Sequence, residues 1–173
     1  MIDLETMGLR PTSAIVSIGC VLFDQTTIKD KFYTNVSLQS CLDAGLTTDK
    51  STVDWWAKQS EEARSAWQKD DAPSLFEGLG SFGNWLRSHC HEKFICPWGN
   101  GSDFDLVLLK SAYESQQAET PWRFYNHHCF RTMKNMFMVD DTPRVGTYHN
   151  ALDDAITQVN HLHKILSVYN IAL

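Results

Sequence analysis

A chain of 173 residues with 43% hydrophobic residues is long enough to bury a core without staples and is expected to form one globular domain over residues 1–173. That composition excludes a disordered or collagen-like chain, and no run reaches the roughly 18 apolar residues of a membrane helix. A net charge of −6, from 15 Lys and Arg against 21 Asp and Glu, excludes coating of nucleic acid by bulk positive charge. It does not exclude an enzyme that grips one end of a strand, because a carboxylate metal site is itself an acidic patch.

Residues 1–5 read as a short strand that runs into a loop at residues 6–12, punctuated by Gly8 and Pro11. Residues 14–23 (AIVSIGCVLF) are β-branched and apolar, the pattern of a buried strand. A polar turn at 24–30 and a returning strand at 31–36 complete an expected antiparallel meander. Ser51 to Asp54 matches a capping box ahead of Trp55 and Trp56. Ser60 caps a second short helix through Trp67, and residues 73–90 carry apolar side chains at helical spacing. Residues 93–98 (KFICPW) suggest a strand, followed by Gly99-Asn100-Gly101. A helix capped by Ser102 follows. One more short strand is expected within 123–128, a helix over 129–139, a loop over 141–146 and a long amphipathic helix over 150–169. Three antiparallel strands followed by helix–strand–helix units predict an α/β fold, a ribonuclease H-like mixed sheet with helices on both faces.

Three groups of residues carry chemistry. Asp3 and Glu5 sit two apart on the first strand, so they share a face. Two like charges side by side are unfavourable unless a cation lies between them, and hard divalent ions prefer such oxygen ligands; taken alone, the pair is more often a solvated strand face. Asp105 follows Gly99-Asn100-Gly101 at the entry to a helix. A carboxylate there is favoured by the helix dipole alone, or it is a third ligand. Asp103 competes for that role, but the glycines and Phe104 favour Asp105, leaving Asp103 to cap or face solvent. His149 precedes the last helix and Asp154 lies within it. Histidine titrates near neutrality and can take a proton from water. Asp153 is expected to face solvent.

Taken together, Asp3-x-Glu5, Asn100-x-x-x-Phe104-Asp105 and His149-x-x-x-x-Asp154 resemble the three motifs of the DEDDh (DnaQ-like) 3′→5′ exonuclease superfamily. The segment Ser51-Thr52-Val53-Asp54-Trp55-Trp56, with Gln59, Glu62, Ala63 and Arg64, is similar to a narrower branch. That branch holds phage-type exodeoxyribonuclease A, exonuclease VIII-like prophage proteins and exoribonucleases with mycobacterial members. The resemblance implies that Asp3, Glu5, Asp105 and Asp154 hold two Mg²⁺ or Mn²⁺ ions, with Asp3 bridging, and that His149 is the general base. It implies stepwise release of 5′-mononucleotides from the 3′ end of single-stranded nucleic acid, DNA slightly ahead of RNA. Thr6, Met7, Asn100 and Phe104 would line the terminal-nucleotide pocket. Apart from the resemblance, Arg123, Arg131, Lys134 and Arg144 either contact phosphate or form a solvated face, with Arg144 the first choice because its loop leads to His149. Only Met1 and Ile2 precede Asp3, so either the first strand is shorter than in family members or the true start lies upstream of Met1.

The remaining features have plainer readings. The five cysteines are an odd set at irregular spacing, expected as reduced thiols of a cytoplasmic protein. The acids near Met1 argue against a signal peptide. The His and Cys clusters at 89–91, 96 and 127–129 lack zinc-finger spacing. Trp55 and Trp56 either stack on bases or divide between core and cover. Pairing into a homodimer is left open. Two rival functions remain: a nucleic-acid-binding module of the same fold without catalysis, and a phosphodiesterase acting on dinucleotides.

Overall fold

The computed structural model describes residues 1–101 and 103–173; the expected cap at Ser102 lies outside the described residues. Strands β1 (Ile2–Thr6), β2 (Ile15–Phe23) and β3 (Ile28–Asn35) form an antiparallel sheet in the order β1-β2-β3. The register sets Asp3 opposite Gly19 and Glu5 opposite Ser17. Alternation then sorts the sheet into two faces. Ile2, Leu4, Val16, Ile18 and Cys20 point into one hydrophobic cluster, with Leu79 and Phe82 of α4 (Leu75–His89) and Leu106, Leu108 and Leu109 of α5 (Asp105–Ser115). Met1 and Val21 join a second cluster with Ala155, Val159, Leu162, Ile165 and Leu166 of α7 (Ala151–Tyr169) and Phe130 of α6 (Phe130–Met136). Asp3 and Glu5 alternate with Ile2 and Leu4, so they lie on the α7 face.

The residues facing α7 across the sheet are small for a reason. A Cβ on Gly19 would sit 2.2 Å from the Ala151 carbonyl carbon and 2.3 Å from the Leu152 nitrogen. The first turn of α7 thus rests directly on β2, with Ala151 and Ala155 both fully buried. This close approach is what brings an acid of α7 to the acids of β1.

Local signals explain most of the remaining elements, and several expectations are corrected. The first turn is tighter than the expected 24–30 span, because Asp24 Oδ1 accepts from the Thr26 and Thr27 N–H groups at 2.9 and 2.8 Å. The returning strand therefore begins at Ile28. A short helix α1 (Leu38–Asp43), capped by Ser37, was not apparent from periodicity because it spans only six residues. Helix α2 (Lys50–Trp56) starts before the expected capping box, at Asp49. The Asp49 side chain makes no cap; it accepts instead from the Leu9 N–H at 3.2 Å, and its own N–H donates to the Met7 carbonyl at 2.7 Å. That residue ties α2 to the loop after β1. Helix α3 (Glu61–Trp67) starts at its Ser60 cap as expected, and Ser74 with Glu77 forms the capping box of α4.

The expected strand at 93–98 reduces to a 3₁₀ turn, Glu92–Phe94, and the two-residue β4 (Trp98–Gly99). Pro97 has no N–H for a ladder; its carbonyl accepts from His128 N at 2.9 Å. The strand expected within 123–128 likewise becomes a 3₁₀ turn, Phe124–Asn126, followed by β5 (His128–Cys129), which pairs parallel with β4. Helix α6 is shorter than the expected 129–139 span. Helix α5 starts at Asp105, with Phe104 at its N-cap position making no side-chain cap. Among the described residues, no helix is long and apolar enough to cross a membrane.

Candidate active site

Three of the four predicted carboxylates meet. Asp3, Glu5 and Asp154 each offer an oxygen, and these atoms all lie within 4.8 Å of one another. Strand alternation supplies the first two, and α7, seated on Gly19, supplies the third. Among the described residues this is the one group of three or more His, Cys, Asp or Glu side chains arranged to hold an ion. The donor set suits a hard divalent cation, being all carboxylate oxygen.

The electrostatics point the same way. Burial pushes Glu5 up to about 8, and the neighbouring charges of Asp154 and Asp105 push in the same direction, while Arg144 opposes them. Burial also raises Asp3, with Asp105, Glu5 and Asp154 adding to it. Carboxylates crowded in this way repel one another, and a bound cation reverses the balance.

Asp105 stands beside this group but is held differently. It is only 3% exposed, and its Oδ2 accepts from the Asn100 N–H at 3.2 Å. Burial raises it to about 6, opposed by backbone hydrogen bonds from Asn100, from its own residue and from Leu4. Gly99 permits the contact, since a Cβ there would lie 3.2 Å from Asp105 Oδ2. Asp103 is exposed, in keeping with its expected place at the surface.

His149 lies on the loop before α7 with φ of 61°, a left-handed conformation uncommon for a residue with a Cβ. Two interactions hold that loop. The Thr147 N–H donates to Asp153 Oδ2 at 2.8 Å, and an Arg144 guanidinium nitrogen donates to the Thr147 carbonyl. Asp153 is therefore a loop anchor, not the solvent-facing acid expected from its helical position. The imidazole meets the ring of Trp55 edge-on at 4.8 Å between centroids. Trp56 is buried, and its Nε1 donates to the Thr6 carbonyl at 2.9 Å. The two tryptophans thus divide between cover and core, and Trp55 faces the expected base.

Next to the carboxylates lies a cleft of about 390 Å³, lined by Glu5, Thr6, Leu9, Trp55, Trp56 and Phe104, among others. Thr6 and Phe104, both expected to contact the terminal nucleotide, line this cleft. Met7 does not: at 1% exposure it belongs to the core, and its N–H donates to the Ala14 carbonyl. Asn100 serves Asp105 through its backbone. Arg144, expected to meet phosphate, ion-pairs with Asp154 and lies over the Tyr148 ring at 4.4 Å. Sequence reasoning missed Gln158, whose Nε2 donates to Asp3 Oδ1 at 2.7 Å. The signal was present: Gln158 is polar on the buried face of α7, four residues after Asp154.

Comparisons with known proteins identify the family and the fold. The family model for the 3′-5′ exoribonuclease Rv2179c-like domain matches residues 1–166. The chain is 30% identical over 124 residues to an exodeoxyribonuclease of Enterobacteria phage T4, an alignment covering 63% of this chain and 52% of that protein. The chain thus spans about half the length of this relative. The fold is similar to the nuclease domain of 3′hExo, a DEDDh family member bound to rAMP. Its TM-score is 0.66 at 16% identity, over 96% of this chain and 90% of that one. It is also similar to cell-death related nuclease 4, with a TM-score of 0.57 at 16% identity, over 96% of this chain and 62% of that one.

Proposed function

The chain belongs to the family of 3′-5′ exoribonuclease Rv2179c-like domains, and on that premise we propose that residues 1–173 are one exonuclease domain. It hydrolyses single-stranded nucleic acid from the 3′ end to 5′-mononucleotides. The observation that carries this reading is the convergence of Asp3, Glu5 and Asp154 within 4.8 Å, beside a cleft with room for a terminal nucleotide.

Two Mg²⁺ or Mn²⁺ ions would supply Lewis-acid chemistry at phosphorus and offset the charge of the four carboxylates. Asp3, Glu5 and Asp154 would hold them, with Asp105 contributing from its place at the start of α5. His149 takes the proton from the attacking water. Its ring is steadied by Trp55 and its loop by Asp153. The 3′ oxygen of the preceding nucleotide departs as the phosphodiester breaks. Thr6, Phe104 and Trp55 receive the terminal nucleotide, with Trp55 offering an aromatic surface to its base. Arg144 is within reach of phosphate once its pairing with Asp154 is relieved.

The relative from phage T4 is an exodeoxyribonuclease, which favours DNA. The family description favours RNA as a second reading. Labelled single strands of DNA and RNA of matched sequence, incubated with Mn²⁺, decide both questions. Stepwise shortening from the 3′ end, absent in Asp154→Ala, is the expected result, and the faster strand names the substrate. A folded protein that shortens neither strand removes the reading.

A further inference from the structure

Helix α7 buries seven apolar residues, Ala151, Ala155, Ile156, Val159, Leu162, Ile165 and Leu166, and two polar ones, Gln158 and His161; of the two, only Gln158 reaches the carboxylates. Gln158 is only 8% exposed. A buried amide is costly unless it is hydrogen-bonded. Its Oε1 has no partner, and its Nε2 has one, Asp3 Oδ1 at 2.7 Å. An apolar side chain would satisfy the helix–sheet packing without that cost. The amide therefore does something packing does not require.

We propose that Gln158 is a positioning residue for the carboxylate site: it holds the Asp3 carboxylate in the orientation in which it meets Glu5 and Asp154. Asp154 and Gln158 are four apart on one helix, so they share a face. A single rigid element thus carries one carboxylate of the site and the clamp for another. The amide donates to Asp3 without adding a like charge, as a carboxylate at this position would. Outer partners of this kind fix the geometry of ligating carboxylates, and their loss typically costs roughly 10–100-fold in metal affinity.

This inference rests on the carboxylates' being a cation site, and the test separates the two. Mn²⁺ binding to the full chain is measured by electron paramagnetic resonance and calorimetry for wild type, Gln158→Met and Gln158→Asn. Methionine keeps the length and removes the donor; asparagine keeps the amide and withdraws it by one methylene. The expected result is a Mn²⁺ affinity weakened roughly 10–100-fold in both variants, with an unchanged melting temperature in chelator. Cleavage returns at raised Mn²⁺ with an unchanged KM for the strand. Unchanged Mn²⁺ affinity in the variants, with a wild type that binds, overturns the role of Gln158 alone. A melting temperature that falls in step with affinity marks Gln158 as a packing residue and overturns it too. A wild type that binds no Mn²⁺ overturns the cation site and this inference with it.

Discussion

On one flank of the site, side-chain packing brings β1 and α7 together until Asp3, Glu5 and Asp154 lie within 4.8 Å. On the other flank, Asp105 is held by main-chain N–H groups at the start of α5. The first flank depends on small residues, above all Gly19 against Ala151, so one added methyl group is enough to spread it. The second depends on backbone donors, so its geometry outlasts the loss of the carboxylate's charge. The same constellation therefore has a flank sensitive to volume and a flank sensitive to charge.

The largest effect is expected at the packed flank. Asp154→Ala and Asp3→Ala should abolish 3′ shortening of labelled strands, while circular dichroism shows a folded protein. Retained cleavage in either variant would break the assignment. His149→Ala should slow cleavage by roughly 10²–10⁴-fold, the usual contribution of one acid–base group. The pH dependence of kcat should lose the limb that reports the imidazole; an unaltered profile removes His149 as the base.

On the charge-sensitive flank, Asp105→Asn keeps an oxygen for the Asn100 N–H and loses only charge. It should melt as the wild type does and bind one Mn²⁺ per chain in place of the two proposed for the wild type, as read by calorimetric stoichiometry. Gly19→Ala does the converse. It removes no carboxylate but forces α7 away from β2, and should cost about 1–3 kcal/mol, the range for overpacking a tight contact, measured by denaturant unfolding. Cleavage should fall with it, since Asp154 moves with the helix.

The last effect is in pH and leaves the sequence unchanged. Glu5 titrates at about 8 in the folded protein, against an ordinary value of 4.5. Between those values the folded chain keeps a proton that the unfolded chain has released. Stability in chelator should thus be greatest below pH 4.5 as far as this group is concerned, and should decline as pH rises through 8, by at most about 5 kcal/mol. Glu5→Gln should flatten that decline, and Mn²⁺ should oppose it in the wild type. A slope unchanged by the substitution would assign the effect to other groups.

Much of this was legible in the residues. Alternation in β2 and the apolar stripe of α7 are local patterns, and both elements lie close to where periodicity places them. Spacing alone made the carboxylates of β1 and α7 only candidates, by the known directions of i, i+2 on a strand and of a helix's first turn; their joint resemblance to the three exonuclease motifs singled them out. The less regular elements were not legible. Six residues of α1 carry too little periodicity to show. The KFICPW segment has strand composition, yet Pro97 and the short partner at His128–Cys129 leave it two paired residues. Asp49 was hidden as the start of α2 because its side chain serves the loop after β1.

By itself, the sequence determined which residue types could meet: the three acidic motifs, their order, and the strand and helix that carry Asp3, Glu5 and Asp154. Only the tertiary structure decided how they meet. Gln158 reaches Asp3 across 155 positions, Arg144 pairs with Asp154, Asp153 turns back to Thr147, and Met7 is drawn into the core. The physical reason is one of range. Backbone periodicity is set by neighbours three or four residues away, whereas these contacts depend on how closely a helix can rest on a sheet, and here the missing side chain of Gly19 sets that distance.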